Sequence, residues 1–371
     1  MLIQNAKAFI DGKFQEKTDL LIRDGRISAI GTGLAAEGEE LLDLGGDLLL
    51  PGFVDVHIHA FKGMDTMQGE EAVRHMSREL KKVGVAAFLP TTMSASPEDT
   101  VKALAGVKAV MERPEPDGAI VLGAHMEAPF LADAKAGAQL KQYFVDPDEE
   151  NWQRYTGGLE SVVRLITMAP ERAGAMEFIS ALTKKGITVS IGHTTADAET
   201  THAAAEAGAT HVTHTFNAQT PLNHRAPGVP GAALVDDRLQ CEVISDGIHL
   251  HPDIVKLIIR TKGKEKLVAI TDAMEAAGMP DGQYQLGGQE VFVHEGAARL
   301  KDGTLAGSTL TMIRAFQNLI RFGATPEEAA LMTTKTPALS IGNEELGEIE
   351  LGAPAIFSRF DENYAFKGTV G

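Results

Sequence analysis

The chain has 371 residues, a formal net charge of −17 at pH 7 and a single cysteine, Cys241. So acidic a protein lacks the basic surface that general binding to nucleic acid or to an anionic membrane needs, which argues against both kinds of partner. One cysteine excludes an intramolecular disulfide and a site built from several thiolates. The N-terminus lacks the pattern of a signal peptide, and no apolar stretch approaches about 18 residues, so we expect a cytoplasmic protein.

Short strands separated by turns are predicted at both ends of the chain. Near the N-terminus, Asp11-Gly12 and Asp24-Gly25 follow apolar runs, and alternation resumes over residues 26–31. Residues 347–352 and 355–357 show a similar pattern, which is typical of strands. Neither end is long enough for a large core of its own. We therefore expect residues 1–50 and 343–371 to meet in one small β-sandwich domain.

The middle of the chain alternates short apolar runs with segments of helical composition, such as those at 70–82 and 175–185. Eight candidate strands lie at 53–58, 85–89, 120–122, 162–168, 187–191, 211–216, 241–244 and 267–270. This alternation predicts an α/β fold, a TIM-like (β/α)8 barrel over residues 51–342 with a β-hairpin insertion near 278–306. A doubly wound open sheet is the alternative. No G-x-G-x-x-G follows the first strand, which disfavours dinucleotide binding.

Metal-binding types of side chain follow the ends of the predicted barrel strands. His57 and His59 end the first strand and lie two residues apart, so both can face one site. Glu127 follows the third strand, His193 the fifth and His214 the sixth. Active sites of such barrels lie at the carboxyl ends of the strands. Because imidazole nitrogen and carboxylate oxygen bind Zn, Fe, Mn or Co, the pattern predicts a divalent metal centre.

The same residues predict one or two ions in each subunit. One ion can be held by Glu127, His193 and His214. His57 and His59 can support a second ion if Glu127 bridges the two. A divalent ion makes hydroxide available near neutral pH and polarises a carbonyl group, which is the chemistry of amide hydrolysis.

Asp272 ends the eighth strand and can accept a proton from water and deliver it to a leaving amine. Taken alone it could instead cap a helix, just as Asp246 could hold a turn. Cys241 is expected in the core. On a regular strand His211 and His214 cannot both face inward, so His211 is expected to be structural. His251 is likewise expected to be structural, and His75, His202 and His294, considered singly, are expected to be hydrogen-bonded structural groups or surface residues.

Longer motifs connect these residues to a known family. They are Pro51-Gly52-Phe53-Val54-Asp55-Val56-His57-Ile58-His59, His125-Met126-Glu127-Ala128-Pro129-Phe130, Gly192-His193-Thr194, Thr213-His214-Thr215-Phe216-Asn217-Ala218, His224-Arg225-Ala226-Pro227-Gly228, Ser245-Asp246-Gly247-Ile248-His249 and Thr271-Asp272-Ala273-Met274. In these motifs the chain resembles the amidohydrolase superfamily, and within it the N-acetylglucosamine-6-phosphate deacetylases, almost from end to end.

The resemblance implies roles for individual residues. It implies that Glu127, His193 and His214 are the principal metal ligands, that His57 and His59 support a second metal, and that Asp272 is the general base and acid. It further implies that the sugar phosphate is bound by Gln139, Asn217, Ala218, Arg225 and His249. In the family the arginine can come from the neighbouring subunit, which implies a homodimer. Its guanidinium suits a phosphate, although an arginine can also form a surface ion pair.

The function that the resemblance implies is the release of acetate from N-acetylglucosamine 6-phosphate. The alternatives are the galactosamine epimer, another amidohydrolase reaction such as cyclic-amide hydrolysis, and a non-catalytic sugar-phosphate binder. Cyclic-amide hydrolases usually carry a lysine after the fourth strand, where this chain has Thr167-Met168-Ala169-Pro170-Glu171. A binding protein would have no need of Asp272.

Two positions depart from the family pattern. Ala60 follows the His-x-His motif and Ala128 follows Glu127, where family members usually have glycine. A glycine can serve close backbone approach or a positive φ. The added methyl group is therefore expected to narrow the pocket beside Glu127.

Overall fold

The computed structural model describes residues 1–35 and 38–371. Strands β1–β5 span Leu2–Ile10, Lys13–Arg23, Arg26–Gly31, Leu41–Asp43 and Leu48–Pro51. Strands β6–β16 span Phe53–Ile58, Ala60–Phe61, Met64–Asp65, Val85–Thr92, Ile120–Val121, Ala124–Met126, Val163–Met168, Thr188–Ile191, His211–Val212, Gln240–Ile244 and Leu267–Ile270. Strands β17–β21 span Gly282–Leu286, Gln289–His294, Ala297–Arg299, Phe357–Phe360 and Phe366–Val370.

Ten described α-helices connect and cover these strands. Helices α1–α5 span Glu70–Lys82, Pro97–Glu112, Glu149–Thr156, Ala175–Lys184 and Ala198–Ala207. Helices α6–α10 span Gly228–Val235, Pro252–Lys262, Met312–Phe322, Pro326–Thr333 and Lys335–Ser340. None of these helices is long and apolar enough to cross a membrane.

Parallel strands form a closed barrel in the order β6-β9-β11-β12-β13-β14-β15-β16, and β10 also pairs with β9. The last strand returns to the first, because the amide of Asp272 donates to the carbonyl of His57 at 2.8 Å and Ile58 pairs with Ala273. All eight residues of β9 are buried, as expected where helices cover one face of a sheet and the barrel interior the other. The predicted (β/α)8 fold is confirmed.

The two ends of the chain form one seven-stranded sheet from β1–β5, β20 and β21. Its side chains contribute to an apolar core separate from that of the barrel, which includes Ile3, Leu20, Leu49 and Phe357. The exact division of the chain into domains at 50/51 and 342/343 stays a prediction. Strands β17–β19 form a three-stranded antiparallel sheet within the predicted hairpin region.

Several predicted strands differ from the structure. The C-terminal strand predicted at 355–357 begins only at Phe357 and runs to Phe360, and the second barrel strand runs to Thr92 instead of residue 89. Residues 347–352 form turns rather than a strand, because Gly347 and Gly352 both have φ of +86°. The third barrel strand continues past the predicted 120–122 into β11, which carries the chain to Glu127. The sixth ends at Val212 instead of residue 216, because the backbone turns sharply at His214.

Candidate metal centre and active site

Glu127 lies at the centre of a group of side chains at the carboxyl ends of the barrel strands. Its Oε1 atom is 3.0 Å from His214 Nε2 and 3.2 Å from His193 Nε2. The two imidazole nitrogens are 3.1 Å apart. All three side chains are buried. Three ligand atoms therefore face one point, as in a site that holds a cation.

The first barrel strand brings two more histidines to the same carboxylate. His59 Nε2 is 3.1 Å from Glu127 Oε2, and His57 Nε2 is 3.4 Å from Glu127 Oε1. Asp272 Oδ1 lies 3.2 Å from His59 Nε2 and 3.5 Å from His57 Nε2. The structure thus brings together all five predicted metal ligands and the predicted proton carrier.

The donor set forms two adjoining groups of side chains, each of a kind that can hold a metal ion. The ligand atoms of His57, His59 and Glu127 lie within 4.8 Å of one another, and so do those of Glu127, His193 and His214. Buried Nε2 of His57 has no hydrogen-bond partner among the described residues, although it faces two carboxylates. Imidazole and carboxylate are ligands of Zn and other first-row transition metals.

Local backbone geometry aims three of these side chains into the barrel mouth. His193, His214 and Asp272 have φ values of +47°, +29° and +51°. Each lies two residues beyond the last residue of a strand, so the turn away from extended geometry redirects the side chain. His211 and His214 are both buried, but of the two only His214 belongs to a ligand group with Glu127 among the described residues. The structural role expected for His211 stays a prediction.

Electrostatic interactions at the site favour the ionised form of Glu127 and the protonated form of His59. Burial by itself raises the pKa of Glu127, but the surrounding histidines outweigh it and hold that pKa well below its usual range. Burial acts to lower the pKa of His59, while hydrogen bonds to Asp272 and Glu127 raise it to about 9. A cation bound here would replace these protons as the partner of the carboxylates, so protons and metal compete for the site.

The second ring nitrogen of three ligands is held by an oxygen atom. His59 Nδ1 donates to the carbonyl of Thr91 at 3.3 Å, and His193 Nδ1 donates to the carbonyl of Lys135 at 2.8 Å. His57 differs because its Nδ1 is 3.1 Å from a side-chain carboxylate, that of Glu242. Glu242 is not among the residues predicted from the sequence. The available signal was a glutamate inside an apolar strand, where a charged residue needs a partner.

A cavity of about 280 Å³ opens beside the metal ligands. Four of the five predicted substrate residues line it: Gln139, Asn217, Ala218 and His249. Lys135 also lines it and was missed, because a lysine in a loop carries no pattern that separates it from surface lysines. Thr304 and Leu305 come from the segment after the hairpin.

Two of the lining side chains are fixed by their neighbours. The Gln139 amide donates to Glu127 Oε2 at 2.6 Å, and its oxygen accepts from the amide of Ser94 at 2.7 Å. His249 Nδ1 lies 2.7 Å from a carboxylate oxygen of Asp246, whose other oxygen accepts two backbone amides. Asp246 therefore holds both a turn and the orientation of His249.

Arg225 lies away from this cavity. It is exposed on the loop between Asn217 and α6, where it lines a separate depression with Asp197 and Asn223. Within one chain, then, the predicted phosphate ligand is not part of the site.

The two alanines that depart from the family pattern do not restrict the cavity. Ala60 and Ala128 are buried, neither has a positive φ, and neither is among the residues found to line the cavity. The expectation that the extra methyl groups narrow the pocket is therefore not supported. The backbone at both positions is one that any L-residue can adopt.

Comparison with known proteins agrees with this geometry. Residues 48–368 match the model of the Amidohydrolase family. The chain is 37% identical over 377 residues to N-acetylglucosamine-6-phosphate deacetylase of Lysinibacillus sphaericus, covering 100% of this chain and 96% of that protein. It is 36% identical to N-acetylgalactosamine-6-phosphate deacetylase of Escherichia coli O157:H7, covering 91% and 88%.

A solved structure is similar along its full length. It is a mutant N-acetyl-D-glucosamine-6-phosphate deacetylase of Mycobacterium smegmatis in complex with N-acetyl-D-glucosamine-6-phosphate. The TM-score is 0.92 at 31% identity, with 100% of this chain and 97% of that chain covered. The similarity thus includes both the barrel and the sheet formed by the chain ends.

Proposed function

The chain belongs to the amidohydrolase family, and on that premise we propose that it hydrolyses the acetamide of N-acetyl-D-glucosamine 6-phosphate to D-glucosamine 6-phosphate and acetate. The observation that carries the proposal is the convergence of two carboxylates and four imidazoles at one site beside the cavity. That convergence occurs in a chain that aligns along its whole length with a deacetylase of this substrate. The reaction belongs to amino-sugar catabolism.

The residues proposed to hold one or two divalent ions are Glu127, His193, His214, His57 and His59. When bound, such an ion acts as a Lewis acid that polarises the amide carbonyl and lowers the pKa of water. Zn, Fe, Mn and Co all suit this donor set. Oε1 of Glu127 faces His193, His214 and His57, and Oε2 faces His59. The carboxylate therefore contacts both groups of histidines, which supports its proposed role as the bridge when two ions are present.

Asp272 is the proposed proton carrier. Its Oδ1 atom faces the same point as His57 and His59, and the side chain is 10% exposed at the edge of the cavity. Burial raises the pKa of Asp272, but the neighbouring His57 and His59 outweigh it and hold that pKa below its usual value. An ionised carboxylate can accept a proton from the attacking water and then pass it to the departing amine.

The sugar phosphate is proposed to occupy the cavity between the metal ligands and the loops above the barrel. Asn217, His249 and the backbone at Ala218 supply polar groups, and Gln139 lies next to Glu127. Lys135 lines the cavity and is proposed to contribute the ammonium group that a phosphate dianion needs in a chain of charge −17. Arg225 is proposed to complete the phosphate site from the neighbouring subunit of a homodimer. Its exposed position outside the cavity of its own chain supports this arrangement.

The galactosamine epimer is a second candidate substrate. The deacetylase that acts on N-acetylgalactosamine 6-phosphate is 36% identical to this chain, against 37% for the glucosamine enzyme. The two epimers differ at one hydroxyl group, so overall identity cannot separate them. A cyclic amide is disfavoured, because the fourth barrel strand ends at Met168 and is followed by Ala169-Pro170-Glu171, with no lysine where cyclic-amide hydrolases usually carry one.

The test is acetate release by metal-loaded protein. N-acetylglucosamine 6-phosphate, its galactosamine epimer and unphosphorylated N-acetylglucosamine are compared at equal concentration. We expect the first to be hydrolysed with the highest kcat/KM and the unphosphorylated sugar with the lowest. Preference for the galactosamine epimer would change the assigned substrate and leave the proposed reaction as it stands. No acetate from any of them, with metal bound, would overturn the proposed function and favour a binding protein.

A further inference from the structure

We propose that Glu242 is a positioning residue that fixes His57 as a metal ligand and thereby sets the affinity of the His57–His59–Glu127 group for its ion. Glu242 makes no contact with the cavity, so it is not a catalytic residue. The inference rests on the metal centre of the proposed function, but not on which amide is hydrolysed.

Glu242 lies one strand removed from the strand that carries its partner, with β16 between them. It lies on β15, the seventh barrel strand, while His57 lies on β6, the first. Both side chains are fully buried, and Glu242 Oε2 is 3.1 Å from His57 Nδ1. This contact links two strands that are not neighbours in the sheet, so strand pairing by itself does not account for it.

The contact determines which ring nitrogen of His57 carries hydrogen. An ionised carboxylate can only accept a hydrogen bond, so Nδ1 must be the donor. The lone pair of neutral His57 then belongs to Nε2, which faces Glu127 and Asp272 at 3.4 and 3.5 Å. Nε2 has no hydrogen-bond partner among the described residues. A carboxylate behind a histidine ligand fixes its tautomer and raises its basicity toward the metal.

A purely structural role for Glu242 does not explain why a carboxylate is buried at this position. Burying a carboxylate is strongly unfavourable unless it is paired, and Glu242 Oε1 has no hydrogen-bond partner in the described part of the chain. A residue selected only for packing in this strand would be apolar, like Val243 and Ile244 beside it. The ring of His125 packs edge-on against that of His57, with their centroids 4.5 Å apart.

Loss of the Glu242 carboxylate should change the metal affinity of only one of the two ligand groups. His57 belongs to the group with His59 and Glu127, whereas His193 and His214 form the other group with Glu127. The Nδ1 atom of His193 is held by a backbone carbonyl, which no change at Glu242 removes. Loss of the Glu242 carboxylate is therefore expected to weaken one ion and to spare the other.

The experiment is a Zn²⁺ titration by equilibrium dialysis, with metal per chain measured by mass spectrometry. The variants are Glu242→Leu, which removes the acceptor, and Glu242→Gln, which keeps a weaker acceptor. Each is also made together with His57→Asn. Ser190→Ala is the matched control, because Ser190 is a buried barrel residue that bonds to Thr213 and to none of the metal ligands in the described structure. Circular dichroism and thermal melting of the metal-free proteins establish that each variant folds.

We expect Glu242→Leu to weaken binding of the ion held by His57, His59 and Glu127 by roughly 10–100-fold, and Glu242→Gln to weaken it less. Binding of the ion held by Glu127, His193 and His214 should not change. The Ser190→Ala control should bind both ions as the wild type does. In the His57→Asn background, the Glu242 substitutions should add nothing. Unchanged Zn²⁺ affinity in folded Glu242→Leu would overturn the proposal, and so would a further loss without His57. A wild-type chain that binds one ion, with affinity insensitive to both residues, would also overturn it. Metal binding without acetate release would refute the proposed function alone.

Discussion

At the scale of single residues, the site is built on backbone conformations that L-amino acids rarely adopt. His193, His214 and Asp272 all have positive φ values, and each such residue costs on the order of 1–3 kcal/mol. The surrounding structure holds them in place. The carbonyl of Asp272 accepts from the amide of Ser308 at 2.7 Å, and the carbonyl of His193 accepts from that of Ala132 at 2.9 Å. These three conformations therefore lower the stability of the fold, and they direct the three side chains into the barrel mouth.

The first prediction concerns Asp272. Substitution Asp272→Asn removes the proton acceptor while keeping the size of the side chain, so we expect kcat to fall by about 10²–10⁴-fold. Metal content should remain unchanged, because the five proposed ligands are intact. Acetate release and metal per chain are measured on the same preparation. Activity within tenfold of wild type would refute the assigned role.

The second prediction concerns Lys135, which lines the cavity. Substitution Lys135→Gln removes a charge-assisted contact to the phosphate, so kcat/KM for the phosphorylated sugar should fall by roughly 10–100-fold. The much slower reaction of unphosphorylated N-acetylglucosamine should not change. Lys141→Gln is the matched control, because Lys141 is an exposed lysine of the same loop. Equal losses on both sugars would show that Lys135 does not bind the phosphate.

At the scale of elements, a cluster of polar and charged side chains connects the helices around the sixth and seventh barrel strands. Asp236 follows α6, and its carboxylate accepts from the guanidinium of Arg238 at 2.9 and 2.7 Å. It also lies 2.8 Å from His202 Nδ1 on α5. Its backbone carbonyl accepts from Lys262 Nζ of α7 at 2.8 Å. One aspartate therefore joins three helices before the chain enters β15.

The third prediction concerns the pH dependence of this cluster. Hydrogen bonds from Arg238 hold the pKa of Asp236 well below its usual value. A lowered pKa in the folded state stabilises the protein above the unfolded-state pKa, near 3.9, and that contribution is lost as the pH falls further. Asp236→Asn should cost about 1–2 kcal/mol at pH 7 and progressively less below pH 4.

Urea unfolding at pH 7 and near pH 3.5 measures this difference. Asp237→Asn is the control, because the neighbouring Asp237 is exposed. A destabilisation by Asp236→Asn that is equal at both pH values would mean that the ionised carboxylate is not the stabilising group.

At the scale of the whole molecule, the two ends of the chain close one sheet and join it to the barrel. Strand β20 lies between β5 and β21, so the C-terminal strands complete a sheet begun by the N-terminus. Phe360 of β20 packs against Phe316 of α8 and Phe53 of β6, at centroid distances of 5.2 and 6.2 Å. The barrel and the sheet are therefore expected to unfold together.

The fourth prediction tests this junction. Phe360→Ala should lower the free energy of unfolding by about 3–5 kcal/mol, because it opens a cavity among buried aromatic rings. Denaturant unfolding measures it, and metal per chain should stay the same in the folded protein. Phe292→Ala is the control, since Phe292 is 39% exposed on the hairpin sheet. A loss no larger than that of the control would mean that the junction contributes little.

The fifth prediction concerns the proposed homodimer. Asp272→Asn and Arg225→Gln are co-expressed with different tags, and the mixed dimer is isolated. If Arg225 serves the neighbouring site, one site of the mixed dimer has both residues intact, and about half of the wild-type activity per dimer should return. If Arg225 acts within its own chain, neither site is complete and no activity returns. A protein that is monomeric at assay concentration would refute the arrangement directly.

The sequence by itself determined the barrel, the family and the types of ligand. Alternating apolar runs and helical segments predict the (β/α)8 fold because strand and helix periodicities are local. His57 and His59 could be placed on one face from their spacing, since neighbouring positions on a strand alternate. Glu127, His193 and His214 could be named because the carboxyl ends of barrel strands meet at one mouth.

Only the tertiary structure decided which atoms face one another. No spacing in the sequence brings Glu242 to His57, because they are 185 residues apart on strands that do not pair. The positive φ of His214, which allows both it and His211 to be buried, depends on the turn that follows β14. Lys135 enters the cavity, and Arg225 lies outside it, through the paths of loops. Contacts between distant segments are set by packing of the whole barrel, which local sequence patterns do not encode.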